Sequence, residues 1–201
     1  IPYTHSGVVS SFNAMDKLIS KKIFLKNKIK TPKYFSINKK NKISSVEKSL
    51  KSKRIIYPAI VKPINEGSSL GVELCKNKKI LINSIEKLVK KYGRVMVEQY
   101  IPGQEIQVAI INGKPLGAIE LIPKRKFYDY KAKYTKSAKT EHIMPARLSK
   151  LKYSEVLKIA KKTHDTFKCR GVTRADFKFY KGNFYLLEIN TQPGMTSLSL
   201  V

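Results

Sequence analysis

The sequence predicts an α+β fold with mainly antiparallel sheets. Short β-rich runs follow one another through tight turns, which favours antiparallel pairs, because parallel neighbours need crossovers of a dozen or more residues. Segments with helical periodicity sit beside these runs instead of alternating strictly with them, as a doubly wound parallel sheet would require. With 201 residues, 42% of them apolar, the chain is long enough to bury a core.

Taken in order, residues 10–27 read as one helix. Met15, Leu18, Ile19 and Ile23 recur near the helical period, and Ser10 is the expected N-cap. Pro32 ends that region. Residues 34–37 form a short strand, 44–52 a helix, and 57–62 an apolar strand closed by Pro63. Residues 65–71 are a Gly/Ser loop, 72–75 a strand, and 79–92 a helix with Ile82, Ile85, Leu88 and Val89 on one face. Three strands follow at 95–99, 105–111 and 115–121, with Asn112 and Gly113 as the hairpin turn between the last two. Residues 124–139 are a long polar and aromatic loop without a period. A helix over 153–167 precedes a final hairpin of strands 172–179 and 184–189 around a loop at 181–183.

Composition narrows the function. No run of about 18 apolar residues occurs, so no membrane span is expected. No secretory signal opens the sequence, and Ile1 is not expected to be the natural start. Cys75 and Cys169 lack metal or disulfide-framework spacing and read as reduced cytosolic thiols, hence a cytoplasmic location. The net charge of +27 points toward a polyanion partner. It competes with a plainer reading: lysine pairs such as Lys21 and Lys22 are spread along the chain, as compositional drift on solvated faces would leave them. Zinc-finger, RNP and KH patterns are absent, which disfavours nucleic acid. His5, His142 and His164 show no metal spacing.

The last hairpin carries the strongest chemistry. Glu188 and Asn190, two apart on one strand, share a face. A three-residue loop at 181–183 would pair Tyr180 with Phe184 and set Asp176 opposite Glu188; an even-numbered loop would break that pairing. Two facing carboxylates and an amide oxygen suit Mg²⁺, which shares its shell with water and phosphate oxygens. Arg174, on the same face as Asp176, fits either phosphate or oxyanion stabilisation or an ion pair with one of the acids. Lys62 ends a buried strand before Glu66, Gly67, Ser68, Ser69 and Gly71, a loop that can cradle phosphate, although it reads equally well as an ordinary hairpin loop. Residues 98–101 lead into Pro102, Gly103, Gln104 and Glu105: a strand and turn that can face a purine, with Glu105 toward a ribose. Four aromatics interleaved with lysines at 124–134 can cap a nucleotide or stack single-stranded nucleic acid. Gly194 offers a close-approach N–H, and Ser199 a hydroxyl for a carboxylate.

These residues together resemble the D-alanine–D-alanine ligase family. The resemblance rests on Tyr3-Thr4 with Ser6-Gly7-Val8, Met15-Asp16-Lys17, Ile60-Val61-Lys62-Pro63, Glu66-Gly67-Ser68-Ser69 with Gly71-Val72, and Phe127-Tyr128-Asp129-Tyr130 with Ala132-Lys133-Tyr134. It closes with Glu188-Ile189-Asn190-Thr191 and Pro193-Gly194-Met195-Thr196, all in the family's order. It implies an ATP-grasp fold: residues 1–15 connect from an N-terminal domain, 16–99 form the smaller subdomain, and 100–201 form the catalytic subdomain. It implies Lys17 and Lys62 on the ATP phosphates, with Glu66, Gly67, Ser68 and Ser69 as the phosphate-side loop and Lys133, with Tyr134, in a loop that closes on the nucleotide. Glu98, Gln99, Tyr100 and Ile101 become the adenine hinge, Glu105 the ribose ligand, and Phe127 the adenine-packing ring. Asp176, Glu188 and Asn190 become ligands of two Mg²⁺ ions, for which Mn²⁺ can substitute. Arg174, Gly194, Ser68, Lys133 and Tyr134 serve catalysis, and Ser199 and Leu200 hold the second D-alanine. The implied reaction joins two D-alanines through a D-alanyl phosphate for cell-wall precursor synthesis, in a homodimer when full length. Two alternatives stand beside it: another ATP-grasp carboxylate–amine ligase, and a basic nucleic-acid-binding protein.

Overall fold

The computed structural model describes residues 3–41, 44–122 and 140–194. Phe127, Lys133, Tyr134, Ser199 and Leu200, with the whole of the 124–139 loop, lie outside the described residues.

The single helix expected over 10–27 is two: α1 (Val8–Met15) and α2 (Lys17–Lys26). Asp16 breaks them. Its backbone turns extended (ψ 106°), and its carboxylate accepts from the N–H groups of Leu18 and Ile19 at 2.8 and 2.9 Å. An acceptor that satisfies the orphan N–H groups of a new helix outweighs continuity of the apolar period. Ser10, expected as N-cap, lies inside α1, where its hydroxyl donates to the Lys168 carbonyl. The restart at Asp16 puts Lys17 and Lys21 one turn apart on one side of α2.

The first sheet contains β1 (Tyr34–Asn38), β2 (Ala59–Pro63), β3 (Glu73–Cys75) and β4 (Arg94–Gln99), in spatial order β1-β4-β2-β3 and antiparallel throughout. Helices α3 (Ser44–Lys53) and α4 (Lys78–Tyr92) cover one face, burying Val46, Leu81, Ile85 and Leu88 against Val61, Val95 and Val97. Each fully buried aliphatic side chain there contributes about 1.5–3 kcal/mol relative to exposure. Strand alternation sends Ile60, Lys62, Met96 and Glu98 to the opposite face, where Met96 packs on Leu18 of α2.

The second sheet runs β7-β6-β5-β8-β9: β5 (Gln104–Ile111), β6 (Lys114–Ile122), β7 (Glu141–Ile143), β8 (Val172–Tyr180) and β9 (Asn183–Asn190). The short edge strand β7 has no counterpart in the sequence reading. Helix α5 (Lys150–Thr166) lies on one face, with Val156 and Ala160 against Ile106, Val108, Ala175 and Phe177. The turn at Asn112 and Gly113 has positive φ at both residues (49° and 75°), as a type I′ hairpin needs.

The last hairpin reaches its expected register by another route. Its loop is Lys181 and Gly182 alone, both at positive φ (47° and 73°), so Tyr180 pairs with Asn183 and not with Phe184. Unbroken, that register would set Leu187 opposite Asp176. Instead the ladder shifts after Phe177–Leu186, Leu187 becomes the extra residue of a β-bulge, and Asp176 faces Glu188. Residues 30 and 31 brace this point: the Leu186 N–H donates to the Lys30 carbonyl at 2.9 Å, and the Thr31 hydroxyl donates to the Leu186 carbonyl at 2.8 Å.

Candidate active site

The two sheets face each other across a cleft of about 530 Å³. Lys17, Lys62, Glu66 and Ser69 lie on one wall and Asp176 and Glu188 on the other, with Glu98, Gln99, Tyr100, Ile101 and Glu105 lining the connection between the sheets.

On the first wall, α2 aims Lys17 into the cleft, where its ammonium donates to the Glu66 carbonyl. Burial lowers its pKa, opposed by the carboxylates Glu188, Glu98 and Glu66. Lys62 donates to Glu98 Oε1 at 2.9 Å. The loop after it has Ser68 and Ser69 at positive φ (51° and 60°). Gly71 is also left-handed, and a Cβ there would lie 2.9 Å from the Pro63 ring and 3.3 Å from Tyr92, so its missing side chain serves packing and not a ligand. Gly67 and Ser68 do not line the cleft, whereas Ser69 does.

The hinge residues line the cleft in different ways. Gln99 turns its side-chain amide to the backbone of Ile56, Pro58 and Tyr100. Glu98 keeps its carboxylate inside: both oxygens meet lysines, Lys62 on Oε1 and Lys21 on Oε2 at 2.5 Å. Burial raises the Glu98 pKa, but the two ammonium groups outweigh it and the net shift is downward. Glu105 pairs with Lys178 at 3.0 Å.

On the second wall, Arg174 grips Asp176 with two bonds, Nε to Oδ1 at 2.8 Å and Nη2 to Oδ2 at 2.9 Å. Asn190 donates to Asp176 Oδ2 at 3.2 Å. Asp176, Glu188 and Asn190 are therefore brought together, and Arg174 adopts the ion pair that the sequence left open. Gln107, in register with Asp176 on β5, is buried with no partner for its carbonyl oxygen. Among the described residues no three His, Cys, Asp or Glu side chains cluster as a metal site. Two facing carboxylates with amide oxygens nevertheless fit Mg²⁺ in kind, because that cation takes one or two carboxylates and completes its shell with water and phosphate. Gly194 is exposed just beyond β9 and does not line the cleft.

Three features escaped the sequence reading. Lys21, assigned there to solvated drift, is fully buried, and burial outweighs Glu98 to bring its pKa down to about 8. Its signal was present: once Asp16 is recognised as a cap, Lys21 stands one turn beyond Lys17. Thr31 accepts from Lys21 at 2.6 Å. Arg147 forks onto Glu120 with two 2.9 Å bonds at the cleft margin. His164 is buried against the Thr173 hydroxyl, and both cysteines are free thiols. No described helix is long and apolar enough to cross a membrane.

Two antiparallel sheets with their helices, closing on a cleft with lysines on one side and carboxylates on the other, define the ATP-grasp class of fold. A family model described as D-ala D-ala ligase C-terminus matches residues 23–201, and the chain belongs to that family. It is 59% identical to a D-alanine–D-alanine ligase of Pelagibacter ubique, covering all of this chain and 65% of that protein. It is 41% identical to one of Citrifermentans bemidjiense, over 63% of its length. The crystal structure of a Bacillus anthracis D-alanine–D-alanine ligase superposes with a TM-score of 0.85 at 35% identity, and the chain spans 64% of it. A structure of the same enzyme complexed with ATP gives a TM-score of 0.82. The chain thus spans a little under two thirds of these relatives.

Proposed function

We propose that this chain is the nucleotide-binding and catalytic portion of a D-alanine–D-alanine ligase, acting on ATP in the cytoplasm for peptidoglycan precursor synthesis. The observation that carries this reading is the facing of Lys17 and Lys62 by Asp176 and Glu188 across one cleft. Residues 16–99 act as the smaller subdomain and 100–201 as the catalytic one. In this reading Lys17, Lys62 and the loop carrying Glu66 and Ser69 bind the phosphates. Backbone groups of Gln99, Tyr100 and Ile101 receive the adenine, and Glu105 the ribose. Asp176, Glu188 and Asn190 would hold magnesium, which would neutralise phosphate charge. Arg174 keeps Asp176 oriented and offers its guanidinium to the charge that develops at the reacting carboxyl. The family reaction passes a phosphoryl group to one D-alanine carboxylate. The amine of a second D-alanine then displaces phosphate, so catalysis is chiefly positioning and electrostatics. The full-length protein works as a homodimer.

Calorimetry of the chain with ATP at millimolar Mg²⁺ tests this. Glu188→Gln should weaken Mg·ATP at least about tenfold, because an ionised partner is worth more than a neutral hydrogen bond. Equal affinity for the two proteins, or wild-type affinity indifferent to chelation of Mg²⁺, overturns the assignment.

A further inference from the structure

Glu98 has one negative charge and two ammonium partners, Lys21 at 2.5 Å and Lys62 at 2.9 Å. The two lysines differ in what else they can reach. Lys62 lines the cleft, with 12% of its side chain exposed, whereas the Lys21 side chain is at 0% and does not line the cleft. Lys21 therefore touches no ligand there. Its effect is on the charge count: with Lys21 cancelling Glu98, the positive charge of Lys62 is left over for whatever enters the cleft. Without Lys21, Glu98 and Lys62 cancel each other. In a poorly solvated site that difference is felt strongly by an anion. Lys21 also reaches the opposite wall. Its ammonium donates to Thr31, whose hydroxyl donates to the Leu186 carbonyl, at the bulge just before Glu188.

We propose that Lys21 is a positioning residue for the polyphosphate: it neutralises Glu98 so that Lys62 presents an uncompensated charge to the cleft, and it ties that wall through Thr31 to the strand bearing Glu188. The proposal rests on the ATP reading above.

The test compares ATP with adenosine, which lacks the phosphates, by calorimetry on the full chain at fixed Mg²⁺, with thermal unfolding recorded for every variant. Lys21→Met should weaken ATP about tenfold or more and adenosine by less than about threefold. The double variant Lys21→Met with Glu98→Gln removes both charges, frees Lys62 again, and should recover most of the lost ATP affinity. Lys21→Arg keeps the charge and should stay near wild type.

A second readout serves if Lys21→Met does not fold. Wild-type ATP affinity should fall as pH rises through about 8, where Lys21 titrates, and Lys21→Arg should flatten that component, since arginine stays protonated. The groups facing Lys21 are Glu98 on β4, Lys62 on β2, Glu188 on β9, Thr31, and the Tyr34 ring on β1. The pKa of Lys17, on the same helix, is also lowered by burial, and Lys17 is present in both proteins, so the readout is the difference between the two pH profiles. The idea is overturned if Lys21→Met leaves ATP affinity unchanged, if the double variant is no better than the single, or if ATP and adenosine weaken alike. Failure of the wild-type chain to bind ATP instead overturns the ATP reading, and this inference with it.

Discussion

Truncating Glu98 to alanine should be among the most damaging changes in the first sheet, and the cause is electrostatic. Glu98 is 3% exposed and its partner Lys21 is 0% exposed. Removing the carboxylate leaves a fully buried ammonium with the Thr31 hydroxyl at 2.6 Å and the Tyr34 ring at 5.8 Å as its described partners. Breaking a buried pair from one side costs about 3–5 kcal/mol. For a domain of this size, that lowers Tm by about 6–20 °C. The ammonium has one escape, loss of its proton. With Glu98 in place its pKa is about 8, so deprotonation at pH 7 costs about 1.4 kcal/mol; without Glu98, burial and Lys62 lower it against Glu188 alone, and the pKa falls further. The folded pKa then lies well below the unfolded value of 10.5, the unfolded chain binds more protons across that window, and the variant gains stability as pH rises. In the wild type, the lowered Glu98 pKa works from the other end of the scale. Its contribution is complete above the unfolded value near 4.5 and is lost as pH falls through the folded one. Urea unfolding of Glu98→Ala at several pH values measures this. A loss below about 1 kcal/mol, flat between pH 6 and 9, would show that the pair is not a buried charged one. Lys21→Met combined with Glu98→Gln should restore most of the stability, since removing both charges lifts the desolvation cost.

Two further changes probe the scaffold of the cleft. Thr31→Val removes an acceptor for Lys21 and a donor to Leu186; it should cost about 1–3 kcal/mol by denaturant unfolding, and a neutral result would mean that water replaces the hydroxyl. Gly103, between the sheets, has φ +104°, and a Cβ there would lie 2.3 Å from the Phe179 carbonyl oxygen. Gly103→Ala should cost about 1–3 kcal/mol from the dihedral alone and weaken ATP as the hinge shifts, whereas wild-type Tm and affinity together would refute that crowding.

Much of the scaffold was legible because local rules and tertiary packing agree there. The 79–92 helix ends at Gly93 with φ 76°; of its expected apolar face Ile85, Leu88 and Val89 are buried and Ile82 partly so, with Leu81 and Ser84 buried beside them. The Asn112 and Gly113 turn is a dipeptide that tolerates left-handed backbone. Misreadings arose where a local polar group overrode periodicity, as Asp16 did between α1 and α2. They also arose where an element is too short to carry a pattern, as with β7. Lys21 was missed for a different reason. Charge in a sequence is scored as exposure, and only the three-dimensional meeting of α2 with Glu98 turns a surface residue type into a core one.

The final hairpin shows how a correct pairing can follow from the wrong turn. Alternation across a regular ladder requires a loop of odd length to set Asp176 against Glu188, and the turn that forms has two residues. The bulge supplies the missing step. It also lets Leu186 and Ile189 both face the core although they stand three positions apart, with Leu187 and Glu188 turned to the cleft. A strand that must bury Leu186 and Ile189 while presenting Glu188 cannot be regular, and that conflict was visible in the residues themselves. What the sequence could not specify is where the irregularity would be stabilised. The clamp on Leu186 by residues 30 and 31 answers that, and it lies some 155 positions away in the chain.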